Sequence, residues 1–341
     1  ASWAVRGTTG YRFAGVVNGL MIDGAAKARL DRTWRAFVGD EAAEFDTLAR
    51  HCRHVVMDGT LAGELTVLST ALLRLAREDR RTRDFTLNSL RRALAEVVAA
   101  FPVYRTYIVD KPSVQDRKFI DWAIGRARRR SLAADASVFD YLHRVLLGSP
   151  LPGAAEGQAE RYRSFTQRLQ QYTAPVAAKG IEDTALYRHH RLISANDVGA
   201  EPDAFGMSVA AFHAASRDRA QRWPHTLLAT STHDTKRSED VRLRIDVIMQ
   251  RATGDLEGAL ASLEALHTLA PDDPVVALDL AEAQIPLRKV VEAGKVLDGI
   301  EPIATGVTRA RVLLNRGNAL ATTSGFDHAA LERLADDARA E

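Results

Sequence analysis

Ser231, Thr232, His233, Asp234, Thr235, Lys236 and Arg237 place a carboxylate, an imidazole and two cations within one short stretch. They directly follow the apolar run Thr226, Leu227, Leu228, Ala229 and Thr230. A Leu- and Thr-rich run that ends in a polar cluster reads as a strand delivering functional groups at its C-terminal end. In (β/α)8 barrels that end carries the catalytic side chains. A carboxylate beside a histidine there can hydrogen-bond the hydroxyls of a distorted sugar, and such bonds strengthen as the ring flattens toward an oxocarbenium ion. On this reading Asp234 stabilises the transition state and His233 donates to a sugar oxygen. Lys236 and Arg237 hold further hydroxyls or pair with Glu239 and Asp240. The same residues also suit a helix N-terminus capped by Asp234 or Thr235. Glycoside chemistry uses two carboxylates flanking the scissile bond, and the sequence offers only this one in a convincing context.

Two other stretches compete for a role. Gly7, Thr8, Thr9, Gly10 and Tyr11 form a loop in which paired glycines permit unusual backbone angles and close approach to a ligand. Tyr11 offers a sugar a stacking face there, although an ordinary turn has the same composition. Glu182 and Asp183 follow Lys179. Neighbouring carboxylates on an extended chain point apart, so they cannot flank one bond, and ion pairs with Lys179 or Arg188 are the simpler expectation. His189 and His190 lack the i,i+4 spacing of a helical metal site. With no metal-ligand set, no phosphate-binding glycine loop and no G-x-S-x-G elbow, no metal and no cofactor are expected.

These groups must be carried by a mostly helical chain. Leu61, Leu65, Leu68, Leu72 and Leu75 recur at helical spacing. Leu87, Leu90, Leu94, Val97 and Val98 do the same behind a candidate N-cap, Thr86, with Pro102 closing the helix. Residues 119–130 and 157–171 complete an all-α insertion over 25–172. In contrast, Pro175, Val176, Ala177, Ala178, Lys179 and Gly180 read as a short buried strand. Helices are expected at 207–222 and 238–250, an α/β grammar. The fold expected is therefore mixed but mostly α. A partial (β/α)8 barrel, from segments 1–24 and 173–247, carries the insertion and is followed by a helical tail over 248–341. In that tail Ala259 and Leu263 precede Ala293 and Leu297 by 34 residues, the period of tetratricopeptide hairpins. Such hairpins serve as protein-binding scaffolds or as stacked support.

Bulk properties exclude other classes. A chain of 341 residues with 46% hydrophobic and 26% charged residues is neither disordered nor fibrous. A net charge of +2 is too balanced for a general nucleic-acid binder. The arginine runs at Arg80, Arg81, Arg83 and at Arg126, Arg128, Arg129, Arg130 lie among acids and read as solvated helix faces. No apolar run is long enough to span a membrane. The single cysteine, Cys52, permits no intrachain disulfide and fits a reducing cytoplasm. The start at Ala1, without Met or leader, suggests no signal peptide and a truncated frame or excised fragment.

Four stretches, taken in order, resemble the maltooligosyltrehalose synthase family of α-amylase-like barrel enzymes. They are residues 7–11, residues 101–107 (Phe101, Pro102, Val103, Tyr104, Arg105, Thr106, Tyr107), residues 178–188 and residues 228–242. The likeness covers residues 3–246, the C-terminal part of the catalytic region. It implies that a maltooligosaccharide or related glucan is rearranged at its reducing end. One α-1,4 bond is broken and an α,α-1,1 bond made, without an added cofactor. It also implies that Asp234 is the transition-state-stabilising carboxylate, with His233 beside it and Lys179, Glu182 and Asp183 in substrate-side support. The family's nucleophile and acid/base lie upstream of the glycine–threonine stretch, so this chain alone is expected to be inactive. Arg12, Asp197 and Ala200 depart from the aspartate, glutamate and glycine expected at those positions. The tail instead resembles tetratricopeptide repeats, which implies a protein partner for 248–341. The other functions left open are a non-catalytic glucan-binding or complementing subunit and a repeat-based interaction protein.

Overall fold

The computed structural model describes residues 5–39, 44–131, 136–150, 152–153 and 156–323. Trp3, Leu151 and the tail residues 324–341 lie outside the described residues. The chain divides into two compact units, one formed by Ala1–Asp40 and His190–Glu341, the other by Glu41–His189.

In the Glu41–His189 unit the helices are α3 (Phe45–Asp58), α4 (Ala62–Arg77), α5 (Leu87–Ala99), α6 (Val114–Arg130), α7 (Ala136–Leu146), α8 (Gln158–Ala177) and the single turn α9 (Leu186–Arg188). Leu65, Leu68, Leu72 and Leu75 of α4 meet Leu90, Leu94, Val97 and Val98 of α5 in one buried core, as the 3.6-residue spacing predicts. The Thr86 side chain caps α5 by accepting from Ser89 N. α6 starts on a reciprocal Ser113–Asp116 capping box. Arg126 and Arg130 pair with Asp46, and Arg128 with Asp140, so these arginines are engaged within the unit.

In the other unit the helices are α1 (Tyr11–Leu20), α2 (Lys27–Val38), α10 (Val209–Arg222), α11 (Glu239–Thr253), α12 (Leu256–Leu269), α13 (Pro274–Gln284), α14 (Val290–Ile300) and α15 (Gly306–Thr323). From α11 onward successive helices pack as hairpins. Asp255 caps α12 and Asp273 caps α13, with Pro274 at the first helical position. Ala259, Leu263, Ala293 and Leu297 are all buried, so the 34-residue period marks equivalent core positions. Among the described residues no single helix is long and apolar enough to cross a membrane.

The expected partial (β/α)8 barrel is not present: the structure is all-α, with no strand among the described residues. Residues 175–177 end α8, and residues Ala178–Ala185 widen into a π-helical stretch. An apolar run this short does not distinguish a buried strand from a buried helix by pattern alone. Here Val176 and Ala177 fall on the buried side of α8, and Pro175 is tolerated in its last turn. Gly180 is a close-approach site and not a strand end. A Cβ there would lie 2.9 Å from Arg53 Cα on α3. Residues 226–229 form no regular element, and among the described residues the main-chain bond from this run to a distant segment is Leu227 N to Thr8 O at 3.1 Å. One bond does not make a ladder.

Candidate functional site

In the first unit, two of the motifs meet. Gly10 caps α1 with φ +93°, and a Cβ there would lie 2.4 Å from Leu227 O. The glycine thus allows residues 7–10 to lie against 225–229, where Thr8 N also donates to Thr226 Oγ1 at 3.3 Å. That contact sets Tyr11 at the start of α1, and its hydroxyl donates to Asp234 Oδ2 at 2.6 Å. His233 Nε2 lies 3.3 Å from the same oxygen. Both side chains are open to solvent, 78% for His233 and 49% for Asp234, so a ligand can reach them.

The turn holding Asp234 is built locally. Thr235 Oγ1 accepts from Thr232 N at 2.7 Å, and Thr232 Oγ1 accepts from Asp234 N at 3.3 Å. Capping of a helix by Asp234 or Thr235 is not what these side chains do. α11 begins later, at Glu239, with Ser238 at its N-cap position. Glu239 is bonded to Ser231 and Thr230, and the Ser231 hydroxyl in particular holds its carboxyl below the usual range. Asp240 is bonded to Ser238. The Lys236 amide donates to Asp197 Oδ1 at 3.1 Å, and Arg237 Nη1 donates to Ile193 O at 3.4 Å.

What anchors this loop is Arg242, to which residue type alone assigned no role. Arg242, Asp246 and Gln250 follow one another at intervals of four along α11, and all three are buried. Three polar side chains at i, i+4, i+8 share one helix face, a signal that the order of residues itself carries. Arg242 sits centrally. Its Nε donates to Asn18 Oδ1 and its Nη1 to Asp197 Oδ2, each at 3.1 Å. Its guanidinium also donates to the carbonyls of Thr230 and Arg237. A pocket of about 190 Å3 opens between α1 and α10, with Phe13, Trp223 and Asp218 on its walls.

In the second unit the other two motifs meet in a similar way. The Tyr104 hydroxyl donates to Glu182, and Lys179 Nζ donates to Asp183 Oδ2 at 2.7 Å. That bond is the chief cause of a Lys179 pKa above its ordinary value. The two acids therefore engage different partners. The segment bearing Tyr104 is fixed by Gln170 of α8, which accepts from Thr106 Oγ1 and Ile108 N and donates to Ile108 O. Tyr104 has no role assigned by residue type alone, although its motif belongs to the resemblance. Among the described residues no group of three or more His, Cys, Asp or Glu gathers as a metal site.

Comparison with known proteins agrees with the motifs. The chain is 52% identical over 83 residues to maltooligosyl trehalose synthases of two Mycobacterium tuberculosis strains, which is 24% of this chain and 11% of theirs. The solved maltooligosyltrehalose synthase from Arthrobacter ramosus matches with a TM-score of 0.59 at 27% identity, over 99% of this chain and 42% of that one. The Sulfolobus tokodaii maltooligosyl trehalose synthase, at 20% identity and TM-score 0.52, shares the fold over all of this chain and 42% of its own. Residues 250–318 match the tetratricopeptide repeat family. The homologues and structural neighbours of this chain are thus maltooligosyl trehalose synthases, of whose length it spans less than half.

Proposed function

We propose that Asp234 is the transition-state-stabilising carboxylate of a maltooligosaccharide site whose chemistry is intramolecular transglucosylation. In that reaction the reducing-end α-1,4 bond breaks and an α,α-1,1 bond forms. The observation that carries the reading is the exposed Asp234 carboxylate held by Tyr11, in a chain whose relatives are maltooligosyl trehalose synthases. Tyr11 and His233 both meet Oδ2, which leaves Oδ1 to accept a sugar hydroxyl. As positive charge grows at the anomeric carbon that bond tightens, so it lowers the barrier more than it favours the ground state. His233 serves as a donor to a sugar oxygen. Lys236 and Arg237, on the same loop, support substrate.

This cluster contributes one carboxylate, whereas displacement at a glycosidic centre uses two. The 341-residue chain by itself is therefore expected to bind maltopentaose without rearranging it. Calorimetry with maltopentaose, run beside a reducing-end assay, tests both halves. Binding lost in Asp234→Ala supports the site, and absence of binding by the parent chain refutes it. Reducing ends that disappear at a rate Asp234→Ala abolishes would refute inactivity. A second reading, protein capture by the tail, is favoured by the tetratricopeptide match over 250–318. It predicts a partner retained by Asp234→Ala.

A further inference from the structure

We propose that the buried Arg242–Asp197 pair is a positioning device that fixes the loop bearing Asp234. The proposal rests on the reading of Asp234 given above. Arg242 and Asp197 side chains are only 5% and 9% exposed, so the ion pair is shielded from solvent. The guanidinium fork holds the carbonyls at both ends of the loop, Thr230 and Arg237. Asp197 holds the loop at a third point, the Lys236 amide, through Oδ1 while Oδ2 faces Arg242. The same Oδ1 accepts from Val198 N at 2.7 Å, which fixes the carboxylate against its own backbone. The fourth anchor is Asn18 of α1, which accepts from Arg242 and donates to Ser194 O at 2.9 Å. α1 also carries Tyr11. One guanidinium therefore ties the helix that presents the tyrosine to the loop that presents its carboxylate partner. A lysine cannot do this, because a single ammonium lacks the planar fork that reaches several acceptors at once.

The test uses the full chain and the variants Arg242→Lys and Asp197→Asn. The readouts are the NMR resonances of the Tyr11 ring and the His233 imidazole, with Asp234→Ala as reference for a lost contact. Maltopentaose affinity is measured alongside. Both variants are expected to move both resonances at least halfway to their Asp234→Ala positions and to weaken binding at least tenfold, with helical circular dichroism retained. Leu263→Ala, which loosens α11 against α12 away from the loop, should lower stability and leave the resonances in place. Resonances that stay at parental positions in a folded variant overturn the proposal, as do resonances that Leu263→Ala moves equally. If Arg242→Lys does not fold, Asp197→Asn decides. Loss of fold in both assigns the pair to the fold, which also overturns the proposal. Failure of the parent to bind maltopentaose refutes the functional reading alone, because the resonances still report on the loop.

Discussion

Asp246 offers a perturbation whose size follows from its surroundings. The residue is 2% exposed. Ser194 donates to Oδ1, and Oδ2 has no hydrogen-bond partner among the described residues. Ile22, Leu30, Leu192, Phe205 and Met249 line the small cavity beside it. Desolvation dominates over the Ser194 bond and the Arg242 charge, and it raises the pKa from 3.8 to about 7. In the unfolded chain the group ionises near the ordinary carboxylate value, so between the two pKa values the folded state binds the extra proton. Stability from this group is therefore fully present below about pH 4 and is lost as pH rises through about 7. A shift of roughly three units corresponds to about 4 kcal/mol as an order of magnitude.

Asp246→Asn keeps the shape and an acceptor for Ser194 but cannot ionise. Urea unfolding of parent and variant across pH 4 to 8 isolates this one group, because every other titration cancels in the difference. The parent is expected to lose stability relative to the variant by up to about 4 kcal/mol over that range, with a plateau above pH 8. A difference that stays flat across the range would show that water reaches Asp246 and would refute the burial argument.

Three further outcomes follow from particular contacts. Tyr11→Phe removes the 2.6 Å hydroxyl from Asp234. A hydrogen bond to a charged group is worth about 1.5–3 kcal/mol at most and less where exposed, so calorimetry should show maltopentaose affinity falling about three- to tenfold with the melting temperature nearly unchanged. Gly180→Ala places a methyl 2.9 Å from Arg53 Cα, and thermal unfolding should show a loss of about 1–3 kcal/mol. Leu263→Ala and Leu297→Ala each open a fully buried site and should each cost about 2–5 kcal/mol by denaturant titration. Losses that differ several-fold would argue against equivalent positions in a repeat.

The helices of the second unit are legible in the sequence because each buries a wide face of large aliphatic side chains, as at Leu65, Leu68, Leu72 and Leu75. Strands are wrongly expected where a run is too short for its period to show, as at Val176 and Ala177. There the neighbouring helix decides the backbone state. Asp234 and Tyr11 are legible as residue types, yet their bond joins positions 223 apart, and local pattern carries no record of such a contact. The acids at 182 and 183 diverge as expected, but on a π-helical stretch and not on an extended chain. Arg242 stands in the sequence only as the end of a motif. Its importance lies in being a charge on the buried face of its helix.

That helix bears on how the two ends of this unit depend on each other. The composition changes near Val247, which suggests a joint there, but Val247 lies inside α11 (Glu239–Thr253). Leu243 and Val247 pack with Leu260, Leu263, Leu266, Val276 and Leu280 of the repeat-like helices. On another side Ile245 and Met249 pack with Ile22 and Leu192, and Gln250 donates to Met21 O at 3.1 Å. The polar stripe meanwhile holds the Asp234 loop through Arg242. Arg244 and Arg251 reach Asp273 and Glu282 on the repeat side. One helix thus serves as the last support of the candidate sugar site and the first member of the hairpin stack. Cutting the chain at 247 would sever it in mid-turn and leave Leu243 without the partners that bury it. A fragment meant to isolate the tail must therefore begin before Ser238, and it will then carry the loop's anchor with it.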